Sequence, residues 1–471
     1  MRKSLAMLLS VVLALTLLLA ACGGKGTQNG PGEPGENGSN GSSQSENGGS
    51  GTVDTQKLAE AKCGDTVTVG AYEQDNNKNN GKEPIEWIVV TKLPGKALVV
   101  SKYVLERMPF EDNDEVNAVK YPDSTIRAWL NGDFYEEAFS DAEKAMIPLT
   151  NIVTTYIEDY QKYTANSDDR VFLLSYDEVN KYLASHENSL QIASPTETVK
   201  ATGIYVWDNS GNEKNTTPGV NWMLRDSADS TYRATKVDGS GYLSRDYGDD
   251  INDRNGVRPA MWIVYNEEEM TAYERDGVVP EDEELNAKLS GLKVGDQVEM
   301  GLFDPTSRVY GNVHAIVWTV LEIKDGKALL FADGAINYLP LNDDREADTC
   351  YWEMCSLRKY LNGDEFLDWT FTPAERAKIA LTSVHTADDS TWQRPGGPDT
   401  EDYVFLASKE EIETYYPDKK DAAIEENNYW LRSADFVEDY MAYIYAGTGG
   451  VGSNNAYAYS GIRPMMWVEI G

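Results

Sequence analysis

The sequence predicts an α+β protein made of two tandem copies of one domain, each with short helices and small antiparallel sheets. Three observations predict it: a long internal repeat, strand-like apolar runs interleaved with short capped helices, and a sharp change of composition near residue 54. The repeat comes first because a missed repeat misassigns the whole fold. Gly64-Asp65 recurs as Gly295-Asp296, Trp87 as Trp318, and Gly95-Lys96-Ala97-Leu98 as Gly326-Lys327-Ala328-Leu329. Arg127 with Leu130-Asn131-Gly132-Asp133 recurs as Arg358 with Leu361-Asn362-Gly363-Asp364. The displacement is 231 in each case, as 295 less 64 and 358 less 127 both give. Further on, Asp169–Leu173 matches Asp402–Leu406, Leu224-Arg225 matches Leu431-Arg432, and Gly256-Val257-Arg258-Pro259 matches Gly461-Ile462-Arg463-Pro464. In the last two matches the displacement falls to 207 and 205, as 431 less 224 and 461 less 256 give, so copy one carries extra residues. The polar stretch from Ala184 to Val220 is the expected surface excursion.

Each copy opens with β-like alternation: Thr66–Val69, then Glu86–Val90, then Ala97–Val100, with Asp75–Gly81 and Pro94-Gly95 as turns. Ser124 or Asp123 caps a short helix that Asn131-Gly132 ends. Ser140–Glu143 and Thr372–Glu375 read as capping boxes, the second with proline at the first helical position. Ser175–Glu178 and Ser408–Glu411 repeat the device after a Val-Phe-Leu strand. Asp238-Gly239 separates two strand-like runs, a hairpin signal. Each copy closes on an apolar strand, Pro259–Val264 or Pro464–Val468. The domains are expected at 58–265 and 291–471, joined by an acidic linker at 266–290.

The N-terminus reads as an address. Met1-Arg2-Lys3 is basic, Leu5–Ala21 is apolar, and Leu19-Ala20-Ala21-Cys22 puts small residues before a cysteine. This pattern is similar to a bacterial lipoprotein signal at 1–21. That resemblance implies cleavage before Cys22, lipidation of its thiol, and a protein held on the cell membrane facing outside. Residues 22–54 are Gly, Ser, Asn, Glu and Pro, too polar to offset their ordering entropy. They form the expected disordered tether, with a reach of roughly 30 Å.

The net charge is −36. A nucleic-acid binder needs a positive footprint, and none is visible. Past the leader, no run approaches the roughly 20 apolar residues of a membrane span. Cys63 stands alone. Cys350 and Cys355 are close enough to form a disulfide in an oxidising compartment, or they remain two thiols. No CxxC pair offers a zinc site.

Tyr72-Glu73-Gln74-Asp75, Asn80–Trp87, Leu224-Arg225 and Gly256-Val257-Arg258-Pro259 resemble an uncharacterised domain family of secreted and surface proteins in gut Firmicutes. The second copy keeps mainly the tryptophan, the helix and the Gly-Ile-Arg-Pro end. More distantly, the order of strand, helices, Val-Phe-Leu-Leu-Ser join, Leu-Arg segment and closing strand is similar to the C-type-lectin-like fold shared with formylglycine-generating enzymes. That likeness implies a long-loop domain displaying a binding surface, with no particular ligand.

Catalytic signals are sparse. The three histidines, His186, His314 and His385, have no counterparts between copies and no metal-ligand spacing. No glycine-rich phosphate loop precedes a helix. A formylglycine-generating activity requires a cysteine pair in the closing region, and neither copy has one there. Asp246, Asp249, Asp250 and Asp253 gather oxygens that suit Ca²⁺, or form a solvated turn; the matching stretch of copy two has no carboxylate. Asp75, Asn77, Asn79 and Glu86 fall near the spacing of a calcium loop, but strands flank them and the required glycine is late, so a hairpin loop is expected. Arg127/Arg358, Arg225/Arg432 and Arg258/Arg463 are expected to tie loops together from the interior. Trp87/Trp318 and Trp262/Trp467 are expected in the core. Tyr232, Tyr242, Tyr247, Tyr443, Tyr445 and Tyr457 lie among small polar residues, a composition that suits adaptable binding surfaces and equally suits hairpin packing. The leading expectation is a non-catalytic surface protein whose two domains bind a glycan, wall polymer or protein. The alternatives are a structural member of a surface assembly and a carboxylate-based enzyme.

Overall fold

Trp87 and Trp318 occupy the same place in two sheets of the same construction. The computed structural model describes residues 55–159, 161–184, 190–211, 216–303, 314–343, 349–424 and 427–471. The leader, Cys22, the tether and His186 lie outside the described residues.

In copy one, β1 (Thr66–Tyr72), β2 (Glu83–Leu93) and β3 (Lys96–Ser101) form an antiparallel sheet closed by β11 (Ala260–Val264). A second sheet runs β4-β10-β7-β8-β9, from β4 (Glu106–Met108), β7 (Trp222–Ser227), β8 (Arg233–Val237), β9 (Leu243–Asp250) and β10 (Asn255–Val257). Strands β5 (Thr150–Glu158) and β6 (Gln161–Asp169) make a separate hairpin.

Copy two repeats the plan. Strands β12 (Gln297–Phe303), β13 (His314–Lys324) and β14 (Lys327–Ala332) are followed in the sheet by β23 (Pro464–Glu469) and the short β18 (Phe405–Leu406). The second sheet runs β15-β22-β19-β20-β21, from β15 (Asn337–Pro340), β19 (Tyr429–Ala434), β20 (Tyr440–Ile444), β21 (Val451–Asn455) and β22 (Tyr459–Ile462). Strands β16 (Thr382–Val384) and β17 (Thr400–Asp402) replace the long hairpin. Each second sheet contains one parallel contact at the equivalent place, Gly256 with Trp222 and Gly461 with Tyr429. The architecture is mixed α+β, with small, mainly antiparallel sheets and few helices, built twice.

A shared device fixes the first strand of each copy. The register of β1 slips between Thr68 and Ala71, and that of β12 between Glu299 and Leu302. Gly70 and Gly301 sit in these bulges at φ 72° and 77°, where a side chain is strained. A Cβ there would also lie 2.8 Å from the ring of Phe139 or Phe371. The freed amide of Gly70 donates to Glu143 Oε1 at 2.7 Å, and that of Gly301 to Glu375 Oε1 at 3.0 Å. These glutamates are also the third residues of the two capping boxes. The indoles of Trp87 and Trp318 donate to Val69 O and Met300 O, both at 2.8 Å. One carboxylate therefore caps a helix and pins a bulge, and one buried indole closes the other side.

All four capping boxes expected from the sequence form. Ser124 caps the helix Thr125–Trp129, and its hydroxyl donates to Tyr121 O at 2.8 Å. Cys355 takes that place in copy two: its sulfur accepts from Arg358 N at 3.4 Å and donates to Trp352 O at 3.3 Å. Cys350 and Cys355 are accordingly buried free thiols, and the disulfide is absent. Burial pushes the Cys350 thiol up to about 12 and raises Cys355 as well, which keeps both unreactive.

Two expectations change. The acidic joining segment folds into helices Glu267–Asp276 and Glu283–Ser290, capped by Asn266 and Asp282. The second inserts Leu285 and Leu289 into the core of copy two, as helix Thr55–Glu60 inserts Leu58 into that of copy one. The excursion of copy one is not wholly superficial, because Ile192, Ala193 and Val199 are buried. Trp87 and Trp318 are fully buried, whereas Trp262 and Trp467 pack against the core only partly.

Candidate functional site

The three arginine pairs are structural in both copies. Arg127 donates to Asp169 at 2.6 Å and to the carbonyls of Pro122 and Asp168; Arg358 does the same with Asp402, Glu353 and Glu401. Arg225 grips Glu178 with two nitrogens, at 2.5 and 2.8 Å, and Arg432 grips Glu411 at 2.5 and 2.9 Å. Both glutamates are capping-box residues, so the fork ties a helix start to a central strand. Arg258 is fully buried and donates to Ser101 O and Leu190 O. Burial alone pushes its guanidinium down to about 9. Arg463 donates to Ala332 O and Ala422 O and lies 4.0 Å from the centre of the Phe331 ring.

The tyrosines do not form one surface. Tyr232 is exposed at the tip between β7 and β8, and Tyr242 at the turn before β9; the side chain of Tyr247 lies outside the described residues. Tyr443 is buried beside Trp430, with ring centres 6.2 Å apart, and burial pushes its hydroxyl up to about 12. Tyr445 is exposed 4.8 Å from Tyr443, and Tyr457 is exposed in the turn before β22. The exposed pair Tyr338 and Tyr459 stacks at 6.1 Å. Tyr443 pairs across the sheet with Trp430, whereas Tyr338 aligns through Gly461 with Tyr429. Since Tyr429 and Trp430 are neighbours on one strand, the two sets leave the sheet on opposite faces.

The aspartates expected in a loop belong instead to strand β9, which spans Asp246, Asp249 and Asp250. Alternation sends Asp249 and Asp250 to opposite faces. Asp249 bonds Lys236, and Asp250 lies 3.5 Å from Arg233 Nε. Asp253 follows in a turn, and the side chain of Asp246 lies outside the described residues. Among the described residues, the three acids whose oxygens come together are Glu73, Asp75 and Glu83, at the β1–β2 loop. Those oxygens accept the loop's own amides: Gln74 and Asp75 donate to Glu83, and Asn77 donates to Glu73 and Asp75. This is the hairpin loop expected of Asp75, Asn77, Asn79 and Glu86.

The most strongly built exposed feature lies where the repeat breaks down. Strands β16 and β17 have three residues each, against nine each in β5 and β6, and the loop between them carries Trp392. Asp389 and Arg394 exchange main-chain hydrogen bonds at its neck, and Trp392 N donates to Asp389 Oδ1 at 2.7 Å. Gln393 holds φ 54°, an uncommon conformation for a non-glycine residue. Gly396 lies so close that a Cβ would come 2.0 Å from Thr386 O. Below the loop, the buried guanidinium of Arg394 donates to the carbonyls of Cys350, Asp435, Glu438 and Tyr440. Lys409 Nζ lies 2.6 Å from both Asp389 Oδ2 and Asp435 Oδ2. Burial works against ionisation of Asp389, but its bonds from Lys409 and Trp392 N and the Lys409 charge prevail and hold the carboxyl below its usual value.

These braces join the loop to the β19–β20 turn, which carries Phe436. Trp392 is 52% exposed and Phe436 50% exposed, and their rings meet edge to face at 4.7 Å. Two large apolar side chains stand half in solvent on cross-braced loops, and Gln393 beside Trp392 holds an uncommon backbone conformation. Copy one carries Asp229 where copy two has Phe436. Sequence reading passed over Trp392 and Phe436. Their only sequence signal is a tryptophan beside Gln-Arg-Pro-Gly-Gly in a stretch without a partner in copy one.

The fold and the braced loop define a class: a tandem pair of one α+β domain, stabilised alike in both copies and diverged at an exposed aromatic loop. The chain belongs to the family described as Domain of unknown function (DUF6273), which matches residues 94–265 and 325–470, one span in each copy. No curated protein and no solved structure matches it. The matched spans contain the Leu-Arg segments and the closing Gly-x-Arg-Pro strands, while β1 and β2 precede the first span and β12 and β13 precede the second.

Proposed function

We propose that this protein is a surface-anchored binding lipoprotein whose second copy holds an extracellular saccharide polymer against Trp392 and Phe436. The observation that carries the reading is the braced, half-exposed aromatic pair. Flat aromatic faces stack on the C–H faces of sugar rings, and a rigid loop presents them at little ordering cost. The anchor rests on the basic start, the apolar run and the Ala-Ala-Cys22 junction; the polar tether gives the domains their reach. A lectin-like domain plan fits the small sheets and long loops, and host Firmicutes fit the sequence likeness. Among the described residues, no helix is long and apolar enough to cross a membrane.

The test is a glycan array with purified wall polysaccharides, probed with the mature chain and with Trp392→Ala and Phe436→Ala. Binding that both substitutions weaken supports the reading. Silence on all saccharides, with one surface protein captured through the same two residues, favours an assembly role instead; Val437, exposed beside Phe436, is the observation on that side.

A further inference from the structure

The tips of the β8–β9 and β20–β21 hairpins are built alike. Asn221 and Asn428 match at a displacement of 207, as 428 less 221 gives. Asn221 Oδ1 accepts from Gly239 N at 3.1 Å, and Asn428 Oδ1 accepts from Ala446 N at 2.9 Å, two amides again 207 positions apart. Each turn closes through the residue before that amide: Asp238 N donates to Tyr242 O at 3.0 Å, and Tyr445 N donates to Gly450 O at 2.8 Å. The two tips are therefore the same place in the domain, fixed by hydrogen bonds in which no aromatic ring takes part.

On this common frame the copies reach one arrangement from unrelated sequence. In copy one, the excursion that copy two lacks brings Trp207 to the tip. Its indole donates to the same Asn221 Oδ1 at 3.1 Å, and its ring lies against Gly239, where a Cβ would come 2.0 Å from it. Buried Asn209 braces the segment with bonds to Thr217 O and Gly239 O, both at 2.8 Å. Tyr205 stands edge to face on this indole at 5.8 Å and is 73% exposed. In copy two the tip supplies its own rings. Tyr445 stands edge to face on buried Tyr443 at 4.8 Å, is 46% exposed, and lies against Gly452, where a Cβ would come 2.7 Å from its ring. Each tip thus has an anchored ring, a glycine floor and a second ring standing in solvent. Core packing does not require a ring left in water, and two separate routes to the same exposed ring at the same place point to a ligand.

We propose that the two tips are a pair of equivalent saccharide subsites, one in each copy, with Tyr205 and Tyr445 stacking on sugar rings. The ligand class rests on the reading of the Trp392 loop, whereas the position and pairing of the subsites do not. A tyrosine offers at most about 150–250 Å² of contact, far below the roughly 800 Å² per partner of a stable protein interface. One sugar ring fits that scale, and Asp238, Ser240 and Thr448 place hydrogen-bonding groups on the same turns. A polymer of repeating sugars presents the same ring to both tips, so it gains an avidity that a short oligosaccharide lacks.

Titration calorimetry of the mature chain with purified wall polysaccharides, and with short oligosaccharides cut from them, tests it in Tyr205→Ala, Tyr445→Ala, the double variant and Trp392→Ala. Each tyrosine variant is expected to weaken polymer binding, and the double variant to weaken it by roughly 10- to 100-fold, with the oligosaccharide losing less. Tyr205→Phe and Tyr445→Phe keep the rings and should keep most of the affinity, and the melting transition should stay in place throughout. Polymer binding that Trp392→Ala weakens and the double tyrosine variant leaves intact would overturn the proposal while the first reading stands. Binding that the double variant weakens and Trp392→Ala leaves intact would uphold the paired subsites and overturn the first reading. Silence on every saccharide would overturn both.

Discussion

Replacing Trp392 by alanine separates binding from stability, because the indole is half in solvent before any ligand arrives. A large aromatic side chain buries about 150–250 Å² when fully covered. With 52% of Trp392 exposed, a ligand can cover roughly 80–130 Å². At about 25 cal/mol per Å² that is worth about 2–3 kcal/mol, a loss of roughly 30- to 150-fold in affinity. The folded state loses less: the exposed half contributes nothing to the core, and the braces through Arg394, Lys409 and Asp389 do not involve the indole ring. Calorimetry against a binding saccharide, beside a thermal melt, measures both. The prediction is an affinity loss of that size with a melting temperature within a few degrees of the parent. Full affinity in the variant would refute the reasoning, because the proposed stacking surface would then carry no energy. A collapsed melting transition would refute it differently, by making the indole a core residue.

Three further outcomes follow from the same geometry. Gly301→Ala places a Cβ at φ 77° and 2.8 Å from Phe371, so it should cost more than about 1 kcal/mol, read as a lower urea midpoint. Cys355→Ser restores the cap that copy one uses and should be close to neutral, whereas Cys355→Ala should lose about 0.5–2 kcal/mol; in the native chain a maleimide should label Cys63 and spare Cys350 and Cys355 until the protein is unfolded. The Asp389 carboxyl is held below its ordinary value, so its contribution to the loop is complete above about pH 4 and fades as pH falls through the lowered value; Trp392 fluorescence should stay constant from pH 5 to 8 and change only in stronger acid, and a change near pH 6 would contradict the ion-pair brace.

The sequence made much of the scaffold legible, because its signals are local and written twice. Four capping boxes and two core tryptophans were recognisable from short spacings, and their recurrence at displacements of 231 to 233 made them secure. The bulge glycines were readable in principle, since Gly70 and Gly301 share that displacement. Their role appears only when β1 meets the capping glutamate more than seventy residues away. Cysteine at 355 is a cap because serine stands at 124, a relation that the repeat contains and the search for disulfides obscured. The aspartates of β9 were misread because the strand ends in Gly248-Asp249-Asp250, with no apolar residue there to show its alternation. Composition left binding and hairpin packing open for the tyrosines of copy two, and burial divides them: Tyr443 packs against Trp430, whereas Tyr445 and Tyr457 are exposed. Trp392 and Phe436 escaped notice for the opposite reason. Comparison of the copies rewards what both retain, whereas this pair sits where copy two departs from copy one and assembles from loops forty-four positions apart.

The most direct measurement is the set of eleven tryptophan indole signals in a nitrogen-15 spectrum of the mature chain, titrated with a wall oligosaccharide and assigned by Trp392→Phe. The Trp392 indole should move in proportion to occupancy while the signals of Trp87 and Trp318 stay fixed. A Trp392 signal that holds still at saturation, with another tryptophan responding, would contradict the account.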